Sequence, residues 1–193
     1  MSKENKISFI EEIKKLLQSA KERAVVAINI AMVYTYYEIG RRIVSEEQNG
    51  KSRAEYGKEI LQKLSSELTK EFGRGYSIRN LWLIRRFYLV YSNVKIPQSL
   101  IAQSHNYHKT TDGKVFFLSW LHYVILTRID NSDERHFYEI ESYANKWSAR
   151  ELKRQYDSSL YERLALSRNK GEIKKLAQVG QVIEKPIDAI KVH

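Results

Sequence analysis

Between Lys70 and Tyr91 the chain carries Lys70, Arg74, Arg79, Arg85 and Arg86 against one acid, Glu71. Basic side chains at that density suit the binding of a polyanion: they neutralise phosphates, and guanidinium can also read base edges through paired hydrogen bonds. Residues 70–91 read as helix, tight turn, helix. Gly73 and Gly75 break the first helical pattern, and Ser77 stands where an N-cap belongs. Leu81, Ile84, Tyr88 and Tyr91 then recur at helical spacing as a buried stripe. Arg79, Trp82 and Arg86 fall on roughly the opposite side. A helix entered through a glycine turn, with basic and amide side chains near its start, fits a helix-turn-helix reading head. An αα-hairpin with a solvated basic face would show the same pattern.

The stretch has an echo. Phe72-Gly-Arg-Gly-Tyr-Ser-Ile-Arg-Asn-Leu81 matches Tyr143-Ala-Asn-Lys-Trp-Ser-Ala-Arg-Glu-Leu152 in its two aromatics, its small residue and its Ser-x-Arg-x-Leu. Ser148 and Glu151 have capping-box spacing. Arg79 and Arg150 thereby take equivalent places near two helix starts, and Lys146, Lys153 and Arg154 add charge around the second. Ordinary helix-capping grammar accounts for part of this match.

Other chemistries find less support. A restriction-type nuclease needs Glu-x-Lys and a further acid on adjoining strands, so that carboxylates hold Mg²⁺ beside a phosphate. Glu12-Ile-Lys14, Glu151-Leu-Lys153 and Glu172-Ile-Lys174 all lie in helical patterns, where residues two apart point to different sides. His105 and His108 lack a completing ligand set. His122, between Leu121 and Tyr123, reads as a core histidine, and His136 lies on an exposed-looking turn. There is no cysteine, which removes disulfides and thiolate metal sites. No glycine-rich phosphate loop follows a strand, and no nucleophile–base pair can be argued. The expectation is a chain without metal, cofactor or catalytic residues of its own.

The elements that must position these residues are helices. The chain has 193 residues, 42% of them hydrophobic, with 13 Tyr, six Phe and three Trp but only two Pro and eight Gly. That is ample for a core and poor in the punctuation of a β fold. Net charge is +10, which suits an acidic partner. Half the excess lies in residues 51–91, with nine bases and four acids. The N-terminus lacks a signal-type apolar core, and the most apolar run, Ala24 to Tyr37, is too short to span a bilayer. A cytoplasmic protein without a membrane segment is expected.

In chain order, one amphipathic helix is expected from Ile7 to about Lys21. A second, apolar on most sides, should run from near Glu22 to Gln48 and end at Asn49-Gly50. A third covers Ala54 to Phe72 and buries Ile60, Leu61, Leu64 and Leu68. Ser92 to Lys114 reads as a long polar loop, a place for function or for a partner. An apolar helix should start at Val115, another should span Asp133 to Lys146, and a further one should run from Ser148 to about Leu166. A short helical stretch then reaches Ala177. The domain is placed at 1–170, with 171–193 as tail or linker.

Tyr37-Glu-Ile-Gly-Arg-Arg-Ile43, Phe72 to Leu81 with Arg85, Phe87 and Tyr88, Leu118-Ser-Trp-Leu-His-Tyr123, Arg135-His-Phe-Tyr138 and Trp147 to Leu152 together resemble the N-terminal domain of YhcG-like nucleases. The resemblance covers about residues 10 to 170, with the motifs in the same order. It implies a helical domain bearing a helix-turn-helix (winged-helix-like) unit, joined to a C-terminal PD-(D/E)XK nuclease domain and serving defence against, or processing of, foreign DNA; the echo around Ser148 adds a second helix-turn-helix-like unit to the expected all-α, multi-helix fold. This chain ends at His193, where that nuclease would begin, and none of its residues takes over the nuclease chemistry.

Two functions follow. In a DNA-binding module, Lys70, Arg74, Arg85, Lys146, Arg150, Lys153 and Arg154 contact phosphates, Arg79, Asn80 and Arg86 reach base edges, and Ser77 and Trp82 complete the surface. Arg79 and Arg86 should then be replaceable without loss of stability. In the alternative, a protein-interaction or dimerisation module, the tyrosine-rich helices and the 92–114 loop contact another subunit, which would make the protein a homo-oligomer, and the charge is only solubilising.

Overall fold

The structure is a computed structural model that describes residues 3–49, 53–93, 110–166 and 170–180. It is all-α, and no strand occurs among the described residues. Its helices are α1 (Lys3–Asn49), α2 (Arg53–Phe72), α3 (Ile78–Ser92), α4 (Trp120–Leu126), α5 (Ser132–Ala144), α6 (Ala149–Asp157), α7 (Leu160–Leu166) and α8 (Lys170–Val179). A 3₁₀ turn, Arg74–Tyr76, joins α2 to α3. No described helix is long and apolar enough to cross a membrane.

The two helices expected before residue 49 are one. α1 runs unbroken for 47 residues, because Lys21-Glu22-Arg23 contains no breaker and all three residues are good helix formers. Val33, Tyr37, Gly40, Ile43 and Val44 of its second half are buried, whereas none of the side chains from Phe9 to Met32 is. The apolar segment from Val115 differs as well. Helix α4 begins only at Trp120, behind Ser119 in extended conformation. The stretch from Ser148 to Leu166 is two helices, since Ser159 takes a left-handed backbone (φ 54°) between α6 and α7. His136 lies within α5 and is half-buried. Of the polar loop, residues 94–109, with His105 and His108, lie outside the described residues, as do Gly50 and 181–193 of the tail.

The most extensive helix contact is between α1 and α3. It is close because position 40 lacks a side chain. A Cβ there would stand 2.5 Å from the Ile84 carbonyl oxygen and 2.8 Å from the Tyr88 Cβ. Beside the crossing, the Glu47 carboxylate takes both of its oxygens to Arg85 Nε, at 2.9 and 2.7 Å. Phe87 then enters the main core, with ring centroids 5.0–5.8 Å from those of Tyr37, Tyr91, Phe116, Trp120 and Tyr123.

Residues 110–119 cross this core without regular structure, and side chains supply the hydrogen bonds that a helix would have made internally. The Phe116 N–H donates to the Tyr34 hydroxyl (3.0 Å) and the Phe117 N–H to the Tyr123 hydroxyl (3.2 Å). Asp112 accepts from the Tyr37 hydroxyl at 2.6 Å, and Glu38 accepts from the Thr111 backbone and hydroxyl at 3.1 and 2.9 Å. Farther along, α8 packs Leu176 and Ala177 toward α5.

Two carboxyl side chains of α5, Glu139 and Glu141, are buried. Glu139 on α5 is 4% exposed, with the Tyr91 hydroxyl at 3.5 Å. Burial pushes its pKa from 4.5 up to about 7, against the opposing pull of Tyr123, Arg135 and Tyr91. Arg135 in turn lies 6.0 Å above the Tyr91 ring.

Two predictions follow from this packing. Gly40→Ala should force α1 and α3 apart and lower unfolding stability by about 1–3 kcal/mol. Gly75→Ala, with open space around the added methyl, should stay within about 0.5 kcal/mol of the parent in urea titrations. For Glu139, the folded pKa lies above the unfolded one. Its protonated form therefore contributes stability that is complete below pH 4.5 and is lost as pH rises through about 7. Glu139→Gln should remove this loss, so the stability difference between variant and parent should shift by about 3 kcal/mol between those pH values. A difference independent of pH would refute the assignment.

Candidate nucleic-acid interface

Helix α2 closes on a glycine. The Gly73 N–H bonds back to the Thr69 carbonyl at 3.0 Å, and Gly73 takes φ 87°, a conformation that a Cβ would strain. The 3₁₀ turn that follows seats Tyr76 against Phe72 and Tyr36, with ring centroids at 6.0 and 6.5 Å. Ser77, extended at φ −57°, ψ 154°, caps α3 by accepting from the Asn80 N–H at 3.3 Å. Leu81 and Ile84 are fully buried, and Tyr88 is half-buried. The sequence places this unit well.

The second unit repeats the cap. Ser148, at φ −72°, ψ 160°, accepts from the Glu151 N–H at 3.2 Å, and Leu152 is fully buried like Leu81. The two turns take different routes. Left-handed backbone falls at Gly73 in the first and at Lys146 (φ 52°) in the second, and these positions are not equivalent in the aligned motifs. His122 holds the second turn in place. Its Nε2 lies 2.9 Å from the Trp147 carbonyl and its Nδ1 2.7 Å from the Ser119 hydroxyl. A carbonyl can only accept, so Nε2 carries the proton and Nδ1 accepts from Ser119. Burial keeps the imidazole pKa below its ordinary value and so favours the neutral ring, although the Trp147 carbonyl pulls the other way. Sequence reasoning placed His122 in the core but gave it no task. The carbonyl it holds lies 25 residues further along the chain, so no local signal pointed to that task.

The expected contact residues fall into two groups. Lys70, Arg74, Arg79, Lys146 and Arg150 are exposed, and among the described residues they make no ion pair or side-chain hydrogen bond. The others are engaged. Arg85 is tied to Glu47, and Arg86 donates to the Thr127 carbonyl at 3.1 Å, reaches Asp130 at 3.9 Å and lies 5.6 Å above the Trp82 ring. Lys153 pairs with Asp157, and Arg154 with Glu151 at 2.7 Å. Asn80 turns its amide back to the Gly75 carbonyl, and Trp82 is half in water. Arg86 thus bonds the carbonyl of Thr127, the residue that caps the C-terminus of α4, so its removal should affect stability as well as any contact.

Beside α6 an open concavity of about 670 Å³ is lined by Arg150, Lys153 and Arg154 together with Glu151, Asp157 and two serines. Among the described residues no three His, Asp or Glu side chains come together as a metal site. The three Glu-x-Lys pairs all fall in helices, α1, α6 and α8.

Residues 12–163 match the family described as the DUF1016 N-terminal domain. The chain belongs to that family. It is also similar to an Escherichia coli (strain K12) protein named "Putative nuclease YhcG", with 38% identity over 170 residues. The matched region is 80% of this chain and 45% of that relative, so the chain spans less than half of the relative's length. No solved structure matches.

The equal cap geometry gives a test. Ser77→Ala and Ser148→Ala should each lower stability by about 1 kcal/mol, and Ser→Gly at either position by only a few tenths. Loss at one site alone, measured by denaturant unfolding, would show that the two units are not built alike.

Proposed function

We propose that this domain is a DNA-binding module that brings a nuclease to its substrate, and that the chain itself carries out no cleavage. Both helix-capped units then act as helix-turn-helix-like heads, and the attached catalytic domain belongs to the longer protein. The observation that carries the reading is the placement of the five unengaged cations. In the chain, Lys70 stands in the last turn of α2, Arg74 in the turn before α3 and Arg79 in its first turn, while Lys146 and Arg150 flank the start of α6. Helix N-termini present unpaired N–H groups and positive potential, so these cations add to a field that already favours phosphate. Affinity to a relative named as a nuclease supports the choice of nucleic acid among polyanions. A cytoplasmic setting and a role in handling foreign DNA agree with it.

Within this reading the contacts divide by reach. Lys70, Arg74, Lys146 and Arg150 hold phosphates, and Arg79 and Asn80, in the first turn of α3, approach base edges. Arg85, Arg86, Lys153 and Arg154 contribute charge while they brace the heads.

Binding of duplex DNA should fall log-linearly with salt. Arg74→Ala should reduce the slope by about 1, weakening all sequences alike, whereas Arg79→Ala should cost about 1–3 kcal/mol and relax sequence preference. Both variants should melt like the parent. If the combined variant binds DNA as the parent does, the unit at Ser77 is a structural hairpin. The role then passes to Lys146 and Arg150 or is abandoned.

A further inference from the structure

The first half of α1 leaves a broad apolar face in water. At 100° per residue, Phe9, Ile10, Ile13, Leu16, Leu17 and Ile28 share one sector about 120° wide with Ala20, Ala24 and Ala27. Glu11, Lys15, Gln18 and Glu22 occupy the opposite side. The six large side chains keep between 41% and 65% of their surface exposed. Val26, Asn29 and Ile30, which approach Phe117, Tyr143 and Trp147 of the same chain, lie outside this sector, Ile30 nearest its edge. The domain's own described residues therefore do not cover it.

We infer that this arm pairs antiparallel with the same arm of a second copy of the chain. Two features select that occupant. The first is layer matching. Positions 10, 13, 17, 20, 24 and 27 follow the 3–4 spacing of a coiled-coil seam, large in the first three and alanine in the last three. About a twofold axis between residues 18 and 19, Ile10 meets the partner's Ala27, Ile13 the partner's Ala24, and Leu17 the partner's Ala20. Every layer then holds one large and one small side chain, and the two helices stay evenly spaced. Parallel pairing would set three layers of large pairs beside three of alanine pairs, over-wide at one end and hollow at the other.

The second feature is area. Six exposed side chains at roughly 100 Å² each, counted on both copies, give on the order of 1,200 Å², the lower end of the range for specific interfaces. An exposed apolar patch of about 600 Å² on one copy is also as large as monomers ordinarily carry. Because Lys14 and Lys21 flank the seam, the pairing rests on apolar burial rather than on charge. The two domain bodies would lie at opposite ends of the paired arms.

Sedimentation equilibrium of the whole chain at tens of micromolar tests this, with twice 22.8 kDa expected. Leu17→Lys should return a folded monomer, since Leu17 is 60% exposed, and its unfolding midpoint, unlike the parent's, should not rise with protein concentration. The chain has no cysteine, so introduced ones report register. An equimolar mixture of Ile10→Cys and Ala27→Cys should form a disulfide between the two variants, and neither alone should cross-link. A monomeric parent, as when another segment of the same chain covers the arm, overturns the inference. So does a Leu17→Lys variant that remains dimeric. Cross-linking by Ile10→Cys alone would overturn the antiparallel arrangement.

Discussion

The crossing of α1 over α3 at Gly40 is the contact on which the other features depend. With 2.5 Å between an imagined Cβ and the Ile84 carbonyl, no other residue permits the same approach without separating the helices. The approach does more than bring two backbones together. It sets Tyr37 against Phe87 and Tyr88, at centroid distances of 5.8 and 5.1 Å, and it brings Glu47 within reach of Arg85. A half-buried carboxylate and guanidinium held at 2.7 Å fix the rotation of α3 about its axis, because both partners lie on helices already in contact. That rotation decides which residues of α3 face water. Arg79 and Trp82 are outward because Leu81, Ile84 and Phe87 are inward.

The tyrosines explain how an irregular segment can pass through such a core. Backbone N–H groups in residues 110–119 have no helical partners, and leaving them unpaired while buried would cost about 1–3 kcal/mol each. Tyr34 and Tyr123 place their rings in the core and their hydroxyls at those N–H groups, so each residue fills space and satisfies a donor. Tyr37 also fills space in the core, but there the hydroxyl is the donor, to the Asp112 carboxylate. A phenylalanine at any of these positions would keep most of the packing and leave a polar atom alone. This supplies a physical reason for a helical domain rich in tyrosine, beyond the ring stacking that phenylalanine could also provide.

Much of this was legible in the sequence, and the parts that were not share a cause. Helix α2, the glycine turn, both serine caps and the buried Leu81, Ile84 and Leu152 depend on neighbours within a few residues. Local periodicity and capping grammar suffice for them. The apolar run from Val115 to Leu126 misled because hydrophobicity reports burial and not conformation; Val115, Phe116 and Leu118 are buried in irregular chain. In the candidate site, Arg85 and Arg86 look alike from the sequence. Their partners, Glu47 and Thr127, lie 38 and 41 residues away, and nothing in their immediate surroundings names them. Arg79, without such a partner, was the more readable of the three.

The continuous α1 shows the same distinction along a single element. Its second half is held by the aromatic core, through the face that carries Val33 and Tyr37. Its first half presents a different face, from Phe9 to Ile28, so the apolar stripe does not run straight along the helix. A stripe that changes direction partway looks, to a search for one periodicity, like two helices. Physically it means that one rigid rod serves two separate surfaces. A projecting helix of about 20 residues is only marginally stable in water on propensity alone, and apolar side chains add nothing to it while they remain solvated. Packing of that face against another helix would turn the same residues into a source of helical stability. The large-to-small gradient from Ile10 to Ala27 is the arrangement that a helix meeting its own reverse would need.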